Sequence, residues 1–286
     1  LVREIAVLTG NKPRWPEICV REDQPEKTAD LIDIRIDAAD LCSRFSARVL
    51  KNVKVGPSPE WMQQRLEGAG IRAINNVVDV TNFVMIELGQ PMHAYDYEEI
   101  DGQVLTARRA VAGEELHTLD DSSRKASSEM LVIADKTKAA GLAGVMAAAF
   151  NGASVRRTAR ACGLHSEASG RFERGTDATR TLRALDRAAQ LIQDMGSATI
   201  CQGSVDVYPE PKSSVTVSFT AEQINRRLGT AIEQSLMCDI LQKLAFEIKD
   251  TASQELVAAV PSWRYDVTCM EDISEEIARI YGFDNI

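Results

Sequence analysis

The chain has 286 residues, 44% of them hydrophobic and only 5% aromatic, and a formal net charge of −9. That length carries one large core or two modest ones, with two domains slightly favoured, and the acidic balance argues against a protein that coats nucleic acid through bulk positive charge. No apolar run reaches the roughly 18 residues of a membrane span, Leu1 opens without the pattern of a signal peptide, and the six widely spaced cysteines form no CxxC pair, so a zinc ribbon or a dense disulfide framework is not expected and a reducing, cytoplasmic setting fits.

Residues 1–10 read as the end of a helix, and the polar stretch 11–30, with Pro13, Pro16 and Pro25, as a connector. Apolar and polar residues then alternate from Leu31 to Ile36, the period of a strand with one buried face, and a second β-like run covers 46–55 before the Gly56-Pro57-Ser58-Pro59 turn. Ser58 can cap a helix and Pro59 tolerates its first position, which predicts a helix over 59–68; another is expected over 78–88. Strands are expected over 104–109, 116–119 and 131–134. From 179 to 195, Leu182, Leu185, Ala189, Leu191, Ile192 and Met195 recur at helical spacing, with Gly196 as the stop. Two prolines in 204–211, and a new order of strand, helix, helix, strand, helix over 215–286, place a domain boundary near Lys212. The expected class is α+β, with a mixed-sheet domain over 1–211 and a small α+β domain over 212–286.

Three groups of residues carry chemistry. In the first, Ile74-Asn75-Asn76-Val77-Val78-Asp79-Val80-Thr81-Asn82 leads to Gly89-Gln90-Pro91-Met92-His93-Ala94-Tyr95-Asp96, so that a hydroxyl, a carboxamide and an imidazole flank a Gly-Gln-Pro turn and can orient a polar substrate by hydrogen bonds. Read alone, the same residues also suit a helix cap and a structural histidine. In the second, Asp272, Glu275 and Glu276 stand at i, i+3 and i+4 along one edge of a helix, with Asp266 in the preceding loop. Such oxygen ligands suit magnesium, and acids at a helix start equally suit capping without a metal. In the third, eight arginines between Arg156 and Arg187 face four acids in an otherwise acidic chain, either as a solvated surface of mixed charge or as a face turned to RNA.

The first motif is similar to the signature of the editing domain of the phenylalanyl-tRNA synthetase beta subunit, bacterial type. Further matches follow in order: Gly141-Leu142-Ala143-Gly144-Val145-Met146, then Thr158 through Ser169, then Arg171-Phe172-Glu173-Arg174-Gly175-Thr176-Asp177. The stretch Pro261-Ser262-Trp263-Arg264-Tyr265-Asp266, with the helix after it, resembles the end of the family's B5 domain. The resemblance covers nearly the whole chain and implies a B3/B4 editing domain followed by a B5 domain. Its function would be hydrolysis of tyrosine mistakenly attached to tRNA(Phe), because an apolar synthetic pocket rejects an added hydroxyl only by roughly a hundredfold. Thr81, Asn82, Pro91, His93, Ala143 and Gly144 would line the editing pocket, positioning an ester and a water. Asp266, Asp272, Glu275 and Glu276 would hold Mg2+ shared with an alpha subunit. That alpha subunit, in an (alpha-beta)2 heterotetramer, would carry the ATP-dependent aminoacylation of tRNA(Phe), and this part is not expected to aminoacylate alone.

One departure limits what the resemblance implies. After Met146 the family continues through an acidic loop to a strand bearing its tyrosine-recognising glutamate, whereas this chain passes directly to Ala147-Ala148-Ala149-Phe150. A complete editing pocket is therefore not expected, and a true deletion would impair tyrosine selection. Two alternatives remain: a scaffold or tRNA-docking module without chemistry, and an unrelated metal-dependent hydrolase using the terminal acids.

Overall fold

The computed structural model describes residues 2–117, 123–142, 147–211, 213–250 and 255–286. It divides into two compact units, Ile18–Pro211 on one side and Leu1–Glu17 with Lys212–Ile286 on the other. Helix α1 (Val2–Thr9) groups with the C-terminal unit, whereas the sequence reading joins residues 1–10 to the first domain. The reason lies in long-range pairing: Arg279 bonds Glu4, the Arg3 guanidinium lies 3.9 Å from the Trp263 ring centroid, and Val7 packs on the C-terminal core.

In the larger unit the chain runs α2 (Thr28–Leu31), β1 (Asp33–Ile36), β2 (Cys42–Ala47), β3 (Leu50–Lys51), α3 (Glu60–Gly68), α4 (Asn76–Leu88), β4 (Val104–Arg109), β5 (Glu115–His117), β6 (Ser123–Lys125), β7 (Leu131–Ala134), β8 (Ala139–Leu142), β9 (Ala148–Phe150), α5 (Gly152–Cys162), α6 (Glu167–Glu173), α7 (Thr181–Asp194), β10 (Thr199–Ile200) and β11 (Val205–Val207). One mixed sheet has the order β1-β4-β7-β8, and a second, antiparallel one the order β11-β2-β9. β1 and β4 are parallel, so the chain between them must cross over, and α3 and α4 form that crossover. Ile34, Phe45, Leu105, Ile133, Phe150 and Phe172 are buried in one core contributed by both sheets. A separate cluster joins α3, α4 and α7 through Met62, Leu66, Val80, Val84, Ala184 and Leu191, and Arg187 on α7 forks across the Glu87 carboxylate on α4 at 2.8 and 3.1 Å.

Two local expectations change. The β-like run placed at 46–55 is β2 and the short β3, beginning at Cys42 and interrupted after Ala47. Ser58 does not cap α3; its hydroxyl donates to Asp79 at 2.6 Å, linking α3's entry to α4, and the helix starts at Glu60.

In the smaller unit β12 (Thr216–Phe219), α8 (Ala221–Leu228), α9 (Gln234–Lys243), β13 (Glu247–Asp250), β14 (Leu256–Ala259) and α10 (Met270–Tyr281) follow in order, one strand more than the sequence pattern suggests. The antiparallel sheet β12-β14-β13 shares a core with all three helices through Phe219, Ile224, Met237, Leu241, Ala258 and Ile277. The α+β class holds in both units, and no helix among the described residues is long and apolar enough to cross a membrane.

Candidate functional site

The Asn75-Asn76 pair is structural. Asn75 caps α4, its side-chain oxygen accepting from the Val77 and Val78 amides at 3.1 and 3.0 Å. Buried Asn76 accepts from the Gly56 amide and donates to the Lys54 carbonyl and Ser197 hydroxyl. Asp79, also buried, accepts from the Ile74 amide at 2.8 Å and from Ser58. These bonds fix the rotation of α4 about its axis, and with it the direction of Thr81 and Asn82.

Thr81 and Asn82 are half-buried. The Thr81 hydroxyl donates back to the Val78 carbonyl at 2.7 Å, which engages its proton and leaves lone pairs to accept. The Asn82 side chain makes no hydrogen bond among the described residues. The helix ends at Gly89, whose φ of 80° is left-handed backbone that suits glycine, and the Gly89 amide closes on the Met85 carbonyl.

Beyond that turn comes a residue the sequence reading passed over. Gln90 is buried, and its amide nitrogen donates to the Ala148 carbonyl on β9 at 2.9 Å and to the Pro91 carbonyl at 3.1 Å. Its side-chain oxygen is buried with no partner among the described residues. The only signal available in the sequence is an amide between a helix-stopping glycine and a proline, two residues that together fix a tight turn.

The tie brings α4, the turn and β9 together. Met92, Val80, Val84 and Ala147 share one core cluster, so buried Pro91 and half-buried His93 sit on a loop clamped against the strand that begins at Ala148. His93 makes no hydrogen bond among the described residues; its ring stands edge-on to Tyr95, centroids 4.5 Å apart at 77°. Burial pushes the imidazole below its ordinary value of 6.5, so it is neutral at pH 7, and burial likewise pushes the Tyr95 phenol up. A neutral imidazole and an unengaged carboxamide can each orient an ester carbonyl or a water by hydrogen bonding. Ala143 and Gly144, the remaining two residues of the expected pocket, lie outside the described residues. A distinct concavity of about 410 Å3, lined by Leu31, Asp33, Tyr97 and Gln103 among others, contains none of the expected pocket residues.

In the smaller unit the four acids do not converge. Arg264 forks between two of them, reaching Asp266 at 2.9 and 2.6 Å and Glu276 at 2.7 Å, and Arg279 holds Glu276 from the other side at 2.9 Å. Burial pushes Glu276 up, but hydrogen bonds from Arg264 and Arg279 outweigh it and hold the carboxyl below the usual range. Asp272 caps α10, accepting from the Thr268 and Cys269 amides at 2.7 and 3.0 Å, which lowers its pKa. Glu275 is exposed. Among the described residues no three potential ligands are placed to hold a metal ion.

The comparisons with known proteins agree with these two units. Residues 41–149 and 146–197 match the model of the B3/4 domain, in two overlapping pieces. The chain belongs to the B3/4 domain family. The B3/4 match lies within the larger unit, and residues 217–283 match the tRNA synthetase B5 domain within the smaller one. Over its whole length the chain is 41% identical to the phenylalanine–tRNA ligase beta subunits of Moorella thermoacetica and Syntrophus aciditrophicus, and over 99% of its length 41% identical to that of Bacillus cereus. It spans only 37 or 38% of each of these relatives. A solved N-terminal fragment of the phenylalanyl-tRNA synthetase beta subunit from Pyrococcus horikoshii aligns with 98% of this chain and 81% of its own, at 11% identity and a TM-score of 0.42, a likeness too loose to add to the family assignment. The B3/4 match breaks at 146–149, and the Moorella alignment runs over 303 positions against 286 residues, leaving about 17 positions without a counterpart in this chain. The break falls where the sequence reading notes a missing strand.

Proposed function

We propose that the chain is the B3/4 and B5 portion of a phenylalanine–tRNA ligase beta subunit, and that its B3/4 unit hydrolyses the ester of tRNA(Phe) mischarged with tyrosine. The observation that carries this reading is the loop of His93, a neutral imidazole locked by Gln90 to β9, together with an Asn82 side chain left unengaged among the described residues on the rotationally fixed α4. On this reading Asn82 and Thr81 position the ester, His93 positions the attacking water, and Pro91, Ala143 and Gly144 form apolar, small-residue walls. Aminoacylation with ATP is assigned to an alpha subunit in an (alpha-beta)2 heterotetramer in the cytoplasm, and this portion charges no tRNA by itself.

Magnesium at Asp266, Asp272, Glu275 and Glu276 does not fit the arrangement described. A guanidinium already supplies the positive charge between Asp266 and Glu276, and Asp272 is committed to a helix cap. We propose that the ion enters only if Arg264 leaves.

The test is deacylation of tyrosyl-tRNA(Phe) by the whole enzyme carrying this segment. His93→Ala is expected to slow it by about a hundredfold or more, and unchanged hydrolysis would remove His93 from the site. The break at 146–149 favours one finer expectation: discrimination between tyrosyl and phenylalanyl esters is weak. A second reading, a scaffold that docks tRNA without chemistry, rests on the same break and predicts no deacylation by the parent enzyme. Loss of hydrolysis in the double variant Asp266→Ala, Glu275→Ala with intact folding would instead favour a metal-dependent hydrolase.

A further inference from the structure

The arginine-rich stretch of the larger unit resolves into paired and unpaired charge. All four of its acids are engaged: Glu167 with Arg171 at 3.7 Å, Glu173 with Arg156 at 3.7 Å, Asp177 with Arg180 at 3.1 Å, and Asp186 with Arg48 at 2.8 Å. Arg187 is held by Glu87. Arg157, Arg160 and Arg174 are exposed and make no ion pair among the described residues. Arg157 and Arg160 are three residues apart on α5 and so are neighbours on its surface. Arg174 is the C-cap of α6, next to the Glu173 that pairs with Arg156 on α5. Arg124 donates to the carbonyl of Cys162 at the end of α5.

The position of this face also matters. α5 follows β9 with Asn151 between them as its cap, and β9 is the strand that Gln90 ties to the His93 loop. From the first residue of α5, Arg157 and Arg160 stand about 8 and 12 Å along the axis.

We propose that Arg157, Arg160 and Arg174 form a docking surface for RNA backbone phosphates, on and beside the helix that follows β9. An unpaired guanidinium fork suits phosphate oxygens, and three of them in a chain of net charge −9 concentrate the attraction on one face. The proposal rests on the reading of the chain as a tRNA-handling segment, but its test is independent of hydrolysis.

The experiment measures binding of the chain to an uncharged RNA hairpin with a single-stranded 3′ extension, by fluorescence anisotropy from 50 to 300 mM NaCl. Arg157→Glu with Arg160→Glu is expected to weaken binding by about tenfold or more at 50 mM salt and to lower the slope of log affinity against log salt by about 1 per arginine. The milder Arg157→Gln with Arg160→Gln should act in the same direction, and circular dichroism should be unchanged in both. Arg226→Glu with Arg227→Glu on exposed α8 changes the net charge equally and should leave binding within about twofold. Equal losses in both charge reversals, an unchanged affinity on altering Arg157 and Arg160, as expected if the face serves an acidic protein, or no binding by the parent at 50 mM salt would each overturn the proposal.

Discussion

Around His93 the polar groups are held in place with capacity left over, whereas around Glu276 nearly every carboxylate is engaged. Among the described residues the side chains of Asn82 and His93 make no hydrogen bond, and Gln90 keeps a buried oxygen without a partner. In the smaller unit Asp266 and Glu276 share Arg264, Arg279 brackets Glu276, and Asp272 is a cap; of the four acids only Glu275 has no such partner among the described residues. A group that will bind a ligand must have unmet hydrogen-bonding capacity and a scaffold that holds it there. By that criterion the His93 loop has what a ligand site requires and the acidic helix is a structural network, although spacing alone makes the acids the more obvious ligand set.

The largest expected effect tests the network. Glu276 is buried and Arg264 and Arg279 are each mostly covered, so Glu276→Gln leaves two guanidinia without their shared anion. Breaking a buried pair from one side costs about 3 kcal/mol, and urea denaturation of the smaller unit's transition should show it. A cost below about 0.5 kcal/mol would mean that the carboxylate is not engaged as described, and would reopen the metal assignment. The next effect tests the clamp. Gln90→Leu removes two donors and leaves the Ala148 carbonyl, fully buried, without that partner, at about 1–2 kcal/mol; if the clamp orients the site, deacylation falls further than the change in stability explains. A third measurement asks which cation the acids hold. The parent should gain no stability from millimolar Mg2+, while Arg264→Met, with Asp266 and Glu276 freed, should recover about 1 kcal/mol on adding it, or several degrees in Tm. Equal stabilisation of the parent would show that guanidinium and metal coexist.

What the sequence made legible divides along the same line. Local features were readable: the helix over 179–195 appears as α7 with Gly196 beyond it, and the strands at 104–109 and 131–134 are β4 and β7. β2 was misplaced because it has no alternation to find. Its polar members Arg44 and Ser46 are buried and satisfied by Asp206, some 160 residues away, and period-2 patterns reveal only strands with one wet face. Thr81, Asn82 and His93 could be selected by motif, but not the bond from Gln90 to Ala148, which spans 58 residues. The acids illustrate the opposite failure. Their spacing is legible and their neutralisation is not, because Arg264 reaches Glu276 only after the loop before α10 has turned back on the helix.

The smallest expected effect is also the one that most directly separates a ligand-binding histidine from a packing one. Burial holds the His93 pKa below 6.5, so the unfolded chain takes up a proton more readily than the folded one. The contribution of neutral His93 to stability is therefore complete above pH 6.5 and is lost as pH falls from 6.5 through the folded value. The urea midpoint of the larger unit should decline over that window, and His93→Phe should flatten that part of the decline. If His93 also positions water at the ester, deacylation must be level from pH 8 down to 6.5 and fall only below it, since the imidazole is already neutral at the upper end. A histidine that only packs against Tyr95 would give the stability slope without the rate profile. A rate that instead rises with pH through 7 would require a base other than this buried imidazole, and would move the chemistry away from the His93 loop.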